Sequence, residues 1–237
     1  MKKHLLIAAA LAALLSVGLG FLFSRVDFIP APASAERQTI DQLLQMLFTI
    51  AAVFFSVIVV FFFYSLLIFR RREGDRSEGP GIRGNSGLEF AWTLIPLAIV
   101  LILGSYGGVV LNRMTQPGPP GTEMEVDVTA FRFGWKFDYP ADKVQSYQLY
   151  LPVNQKIYFK INSLDVVHSF WVQQLGPKQD AVPGLTTELR LTADKIGDYF
   201  VECSQLCGYG HSQMIAPVYV VSAADFQKWI QQQPKTP

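Results

Sequence analysis

Hydrophobic and polar positions divide the chain into two halves of different rhythm. The first half contains three long apolar runs, Leu5–Phe23, Leu43–Phe69 and Phe90–Leu111. Each is long enough to cross a bilayer, which takes about 20 residues of helix. Only Gln45 and a few hydroxyls interrupt the second run, and Pro96 falls in the second turn of the third. After Leu111 the pattern changes. Gln116–Gly121 reads Gln-Pro-Gly-Pro-Pro-Gly, a linker in which neither helix nor sheet propagates. Short segments of strand character follow: Glu125–Phe131, Ser146–Leu151, Lys156–Ile161, Val166–Val172, Thr186–Leu191, Asp198–Cys203 and Ile215–Val221. Strands of this length, separated by turn residues, predict a Greek-key sandwich or barrel. One amphipathic helix is expected over Ala223–Gln232, with Ser222 as its N-cap and Phe226, Trp229 and Ile230 on one face. The predicted fold is therefore a transmembrane helical hairpin, with or without a further N-terminal helix, followed by an all-β domain. The expected boundaries are 1–35, 36–115, 116–122 (linker) and 123–237.

Composition agrees with this division. Half of the 237 residues are hydrophobic and 16% are charged, too apolar for an ordinary soluble protein. The formal net charge is +1, so no global field attracts nucleic acid. Residues 1–122 carry ten Lys and Arg against seven Asp and Glu, whereas residues 123–237 carry ten against twelve. The C-terminal domain is slightly acidic, compatible with a basic partner protein. The loop after the second run contains Arg70, Arg71, Arg72, Arg76 and Arg83, which places it in the cytoplasm and sends the C-terminal domain to the opposite side. The first run has two readings. Lys2, Lys3 and the apolar stretch resemble a leader peptide with Ala33-Ser34-Ala35 as its cleavage site, but that site lies ten residues beyond Phe23. The other reading is a third spanning helix.

The chemistry concentrates in Cys203-Ser-Gln-Leu-Cys207-Gly-Tyr-Gly-His211-Ser-Gln-Met214. Four soft ligands fall within twelve positions. Thiolate, imidazole and thioether together select copper over hard cations, and Gly208 and Gly210 let the chain fold tightly around an ion. Three other readings compete. A disulfide suits an oxidising compartment, but Cys203 and Cys207 close so small a loop that little chain entropy is gained, and it leaves His211 and Met214 without a reason. A Cys2His2 zinc site with His168 as fourth ligand leaves Met214 as a core methionine. A mononuclear blue-copper site uses two His, one Cys and a weak Met, whereas here a second Cys is present and two thiolates can bridge two coppers.

At this point the chain resembles cytochrome c oxidase subunit II, over Thr39 to about Ile230. The resemblance rests on Leu88-Glu89-Phe-Ala-Trp92-Thr-Leu-Ile-Pro96, on Asp165-Val-Val-His168-Ser-Phe-Trp171, on Lys178-Gln-Asp180-Ala-Val-Pro183-Gly184, and on the cysteine loop. The N-terminal extension and the Arg70–Gly81 loop are most similar to cyanobacterial and related bacterial members. The resemblance implies a cupredoxin-like barrel with a binuclear CuA centre. Cys203 and Cys207 would bridge two coppers, with His168 and Met214 completing one and His211 and the carbonyl of Gln205 the other. It implies electrons from cytochrome c or a similar small donor, handed to haem in subunit I, where oxygen becomes water and protons are pumped. Subunits I and III and membrane lipid are the implied partners, in a bacterial plasma or thylakoid membrane.

The same resemblance singles out three further positions. Glu89, at the cytoplasmic mouth of the third run, corresponds to the start of a proton pathway, against the plainer reading of a solvated interfacial charge. The residue between the cysteines is often a Glu that helps hold magnesium at the subunit I interface; here the neutral Gln205 argues against magnesium held through this position. Many members receive the electron at a Trp where this chain has Phe133, so Phe133 or Trp135 takes that role, unless both are core. Two rival functions remain: a quinol oxidase subunit II, whose members lack the copper ligands, and a membrane-tethered copper-delivery module, for which one span would suffice. Nitrous-oxide reductase carries a similar copper domain but not a hairpin with Glu89 and Pro96.

Overall fold

The computed structural model describes residues 2–26, 29–71, 73–76, 78–79, 81 and 83–235. Arg72 of the basic loop lies outside the described residues. The described residues form four α-helices and ten β-strands. The three apolar runs become α1 (Lys2–Arg25), α2 (Ala35–Ile68) and α3 (Ser86–Thr115), each apolar and long enough to cross a membrane. A helix satisfies its own backbone polar groups, which hydrocarbon cannot do. Leu, Phe and Ile side chains are exposed along all three helices, as expected of surfaces that meet lipid. Helix α2 starts eight residues before its apolar run, because Ser34 caps it: its Oγ accepts from Arg37 N at 2.9 Å.

The chain separates into two compact units. One contains residues 1–29 and Leu43–Gly108. The other contains Pro30–Gln42 and Val109–Pro237, so the first turns of α2 and the last turn of α3 group with the β-domain.

The β-domain consists of two five-stranded sheets. The first has the order β3-β2-β1-β5-β8, built from β1 (Met124–Phe131), β2 (Gly134–Tyr139), β3 (Val144–Ser146), β5 (Lys156–Ser163) and β8 (Thr187–Thr192). The second has the order β4-β10-β9-β6-β7, built from β4 (Leu149–Pro152), β6 (His168–Trp171), β7 (Lys178–Ala181), β9 (Gly197–Cys203) and β10 (Ile215–Val221). Pairs β1–β5 and β4–β10 are parallel and the others antiparallel. Alternation sends Val126, Val128 and Ala130 of β1, Trp135, Phe137 and Tyr139 of β2, and Ile157, Phe159 and Ile161 of β5 into one core with Val218 and Val220 of β10. Helix α4 (Ala223–Gln232) closes it with Phe226 and Ile230, capped by Ser222 accepting from Asp225 N at 3.1 Å.

Three strand expectations change. Ser146–Leu151 is two strands rather than one: the chain turns at Tyr147–Gln148, fixed by Gln148 N donating to Ser146 Oγ at 3.0 Å, and crosses from the first sheet to the second. Strand β2, which holds Trp135, is not among the strands expected from the sequence. Strand β7, Lys-Gln-Asp-Ala, carries no apolar alternation and is specified by pairing to β6, from Trp171 opposite Lys178 to His168 opposite Ala181.

Candidate metal centre

Two strands and one loop bring the ligands together. His168 opens β6 and Cys203 ends β9. The two strands pair with Phe170 opposite Cys203, so the ligands meet at one end of the second sheet. The loop that follows returns to β10 at Ile215. Its ends are tied where Cys203 N donates to Met214 O at 3.1 Å, and Ser204 N donates to Ser169 O at 3.0 Å. Inside the loop, His211 N donates to Gly208 O at 3.1 Å, and His211–Gln213 forms a single 3₁₀ turn. Gly208 has φ of +134°, a conformation L side chains rarely adopt. A Cβ on Gly210 would stand 2.5 Å from Cδ2 of Phe133.

The six predicted ligand atoms converge. Cys203 Sγ lies 3.7 Å from Cys207 Sγ, 3.8 Å from His168 Nδ1 and 3.1 Å from Gln205 O. Cys207 Sγ lies 3.6 Å from His211 Nδ1 and 3.9 Å from Met214 Sδ. The ligand atoms of His168, Cys203 and Cys207 all fall within 4.8 Å of one another, and all three residues are buried, as is Met214. The sulfur–sulfur distance is far from the ~2.05 Å of a bond, so both cysteines are thiols. Sulfur, nitrogen and one carbonyl oxygen around two buried sulfurs suit a soft transition metal. Burial, reinforced by the neighbouring Cys203, pushes the Cys207 thiol up to about 11. A metal that takes its thiolate must displace that proton.

Within the Asp165–Trp171 motif the sequence alone assigns Asp165 no role. The structure gives it one. Its Oδ1 accepts from His168 Nε2 at 2.8 Å and from Val166 N at 2.6 Å, and its Oδ2 accepts from Arg132 N at 2.8 Å. Burial pushes this carboxyl up, but the hydrogen bonds from His168, Val166 and Arg132 outweigh it and hold it down at about 2. The Asp-x-x-His spacing, with the carboxylate one turn before the ligand, was the available signal.

The two candidate aromatics part company. Phe133 is 40% exposed, and its ring rests on the backbone of Gly208 and Gly210. Trp135 is 1% exposed; its Nε1 donates to Met214 O at 3.4 Å, and its ring meets those of His168 and Phe170 edge-on at 6.3 and 5.7 Å. Gln205 is exposed, and its carbonyl faces Cys203. Glu89, in the other unit, is exposed in the first turn of α3, where its Oε1 accepts from Asn85 N at 3.3 Å.

Comparison with known proteins gives a consistent picture. Residues 135–223 match the family "Cytochrome C oxidase subunit II, periplasmic domain", and residues 24–107 match "Cytochrome C oxidase subunit II, transmembrane domain". Cytochrome c oxidase subunit 2 of Bacillus subtilis is 33% identical, over 97% of this chain and 68% of its own length. The corresponding protein of Thermostichus vulcanus is 29% identical, over 86% and 78%. Quinol oxidase subunit 2 of Bacillus subtilis is 31% identical, over 96% and 72%. Among solved structures, the periplasmic domain of cytochrome oxidase subunit II of Bradyrhizobium japonicum aligns at 26% identity with a TM-score of 0.46, over 48% of this chain and 95% of that one.

Proposed function

The chain belongs to the cytochrome c oxidase subunit II family, and on that footing we propose that its periplasmic domain holds two copper ions in the Cys203–Met214 loop and relays single electrons from a soluble donor to haem in subunit I. As subunit II of a haem–copper oxidoreductase it is a membrane protein whose partners are the other oxidase subunits. The finer reading rests on one observation: two buried sulfurs 3.7 Å apart, ringed by His168, His211, Met214 and the Gln205 carbonyl.

In this reading Cys203, Cys207, His168, Met214, His211 and the Gln205 carbonyl would hold the two coppers. A bound pair of coppers supplies one-electron storage shared over two ions, with little change of geometry. The protein's residues do the rest. Asp165 fixes the His168 ring with Nδ1 toward the sulfurs. Trp135 and Phe170 wall the site from the core side, so water stays out and the ligands stay rigid. Phe133 lies on the loop with part of its ring in solvent, and so offers a donor protein a way in. Cytochrome c, or a small protein like it, is the proposed donor. Glu89, at the cytoplasmic start of α3, is the proposed mouth of a proton pathway into subunit I.

An electron paramagnetic resonance spectrum of the copper-loaded chain tests the centre. One electron shared over two coppers gives a seven-line pattern; a four-line, single-copper spectrum sinks the reading. The quinol-oxidase alternative has support in the 31% identical relative, but the full set of five ligand side chains at one place favours copper. Co-purification with a haem-bearing subunit separates a working oxidase from a copper-delivery module.

A further inference from the structure

Ala33-Ser34-Ala35 has the small-x-small pattern of a leader-peptidase site, yet in the fold it is a seam. Ala33 and Ser34 are 2% and 0% exposed. Ala33 N donates to Gln174 O at 2.8 Å, and Ala33 O accepts from Asp194 N at 3.0 Å. Ser34 Oγ donates to Leu175 O at 2.6 Å while it caps α2, and Ser34 bridges Ala193 in antiparallel fashion. On either side, Lys195 Nζ donates to Pro32 O at 2.6 Å and Thr192 N donates to Glu36 Oε2 at 2.9 Å. Arg37, 5% exposed, donates through Nη1 to Gln173 O at 2.7 Å. The seam thus pins two turns of the β-domain, Gln173–Gly176 and Thr192–Lys195. The first of these follows directly on β6, the strand of His168. Cutting after Ala35 would leave Asp194 N and the carbonyls of Gln174 and Leu175 without partners in a buried place, and would remove the cap of α2.

A second, independent observation lies in the other unit. Helix α1 runs antiparallel to α2. His4 Nδ1 is 2.8 Å from Tyr64 Oη at one end, and Phe23 stacks on Phe48 at 5.9 Å at the other. Between these contacts, Ala12 of α1 and Ala52 and Ser56 of α2 are buried among mostly exposed neighbours. Small residues at matching levels are what close packing of two membrane helices requires.

We propose that α1 is a resident third transmembrane helix, and that Ala33–Arg37 is a structural seam of the periplasmic domain instead of a processing site. Orientation agrees: Lys2 and Lys3 lie on the cytoplasmic side with the Arg-rich loop, and each later helix alternates direction. This inference stands whether or not the domain binds copper.

The test uses the full-length chain with a C-terminal tag, purified from membranes. Its intact mass is expected to include α1; a mature N-terminus at Glu36 overturns the proposal. On the same protein, hydrogen exchange at the amides of Ala33 and Asp194 is expected to be slow, like that of the strands. Exchange at the rate of an open loop overturns the seam. Ser34→Ala is expected to leave the mass class unchanged and lower the thermal midpoint by about 3–6 °C; an unchanged midpoint counts against the seam.

Discussion

His168 and Asp165 are joined by a 2.8 Å hydrogen bond between Nε2 and Oδ1, while the other ring nitrogen of His168 faces Cys203 Sγ at 3.8 Å. The first contact decides the second. With the proton held on Nε2 by the carboxylate, the lone pair on Nδ1 is free for a metal. The same carboxylate accepts from Arg132 N, next in sequence to Phe133. One side chain therefore holds both the proposed ligand His168 and the turn whose aromatic ring lies on the cysteine loop.

Asp165→Asn keeps the size and one acceptor oxygen but puts an NH2 group where one of the two carboxylate oxygens stood. His168 Nε2, Val166 N and Arg132 N all donate to these two oxygens, so at least one donor loses its partner. Copper affinity, measured by competition with a chelator, is expected to fall about 10–100-fold, as is usual when a histidine ligand loses its carboxylate support. The hyperfine pattern should change with it. Wild-type affinity in this variant would rule out the positioning role.

The same group gives a pH window. Its folded carboxyl sits at about 2, below the ~3.9 of a free Asp, so it stabilises the ionised fold. That stability is fully present above pH ~4 and is lost as pH falls from about 4 to 2. It amounts to about 2–3 kcal/mol at most, less where solvent screens the half-buried carboxylate. The copper-free chain should therefore be more stable than Asp165→Asn at pH 6, with the gap closing toward pH 2. A gap that is constant with pH contradicts the assignment.

Copper loading should release acid. Burial pushes the Cys207 thiol up to about 11, so at neutral pH the copper-free site carries this proton. A thiolate ligand cannot keep it. Proton release on adding copper in weak buffer is expected, as is an apparent affinity that rises with pH between about 6 and 9. Cys207→Ser should reduce both. An affinity flat over this range would mean that Cys207 is not a ligand.

The Cys203–Met214 loop, the three apolar helices and the C-terminal helix are legible in the sequence because each is local. Cys203 to Met214 spans one loop, and an apolar run of helical length needs no partner to be recognised. What was hidden depends on long-range pairing. Strand β7 is polar and exists because β6 binds it, and the break between β3 and β4 depends on two sheets that the chain joins. Trp135 and Phe133 are two positions apart and looked equivalent; only the fold turns one inward and lays the other on Gly208 and Gly210. The role of Asp165 needed the distance to His168, although the spacing hinted at it. Ala33-Ser34-Ala35 stays ambiguous in the sequence for the same reason. Its small side chains suit a peptidase, and they equally suit a tight seam against residues some 140–160 positions away.

The contrast between the two aromatics predicts opposite phenotypes. Phe133 has part of its ring in solvent and the rest against the Cys203–Met214 loop, the position the proposed electron entry requires. Phe133→Ala should slow reduction of the centre by a donor protein in stopped flow, while the copper spectrum and the thermal midpoint change little. Phe133→Trp should keep the rate near that of the wild type. Trp135 is buried and holds the Met214 carbonyl, so Trp135→Ala should cost about 3–5 kcal/mol of domain stability and disturb the spectrum. The milder Trp135→Phe removes the N–H while keeping most of the packing, and should shift the copper spectrum with a smaller loss of stability. If Phe133→Ala reduces as fast as the wild type and Trp135→Phe does not, electrons enter through the core side and the assignment of Phe133 is wrong.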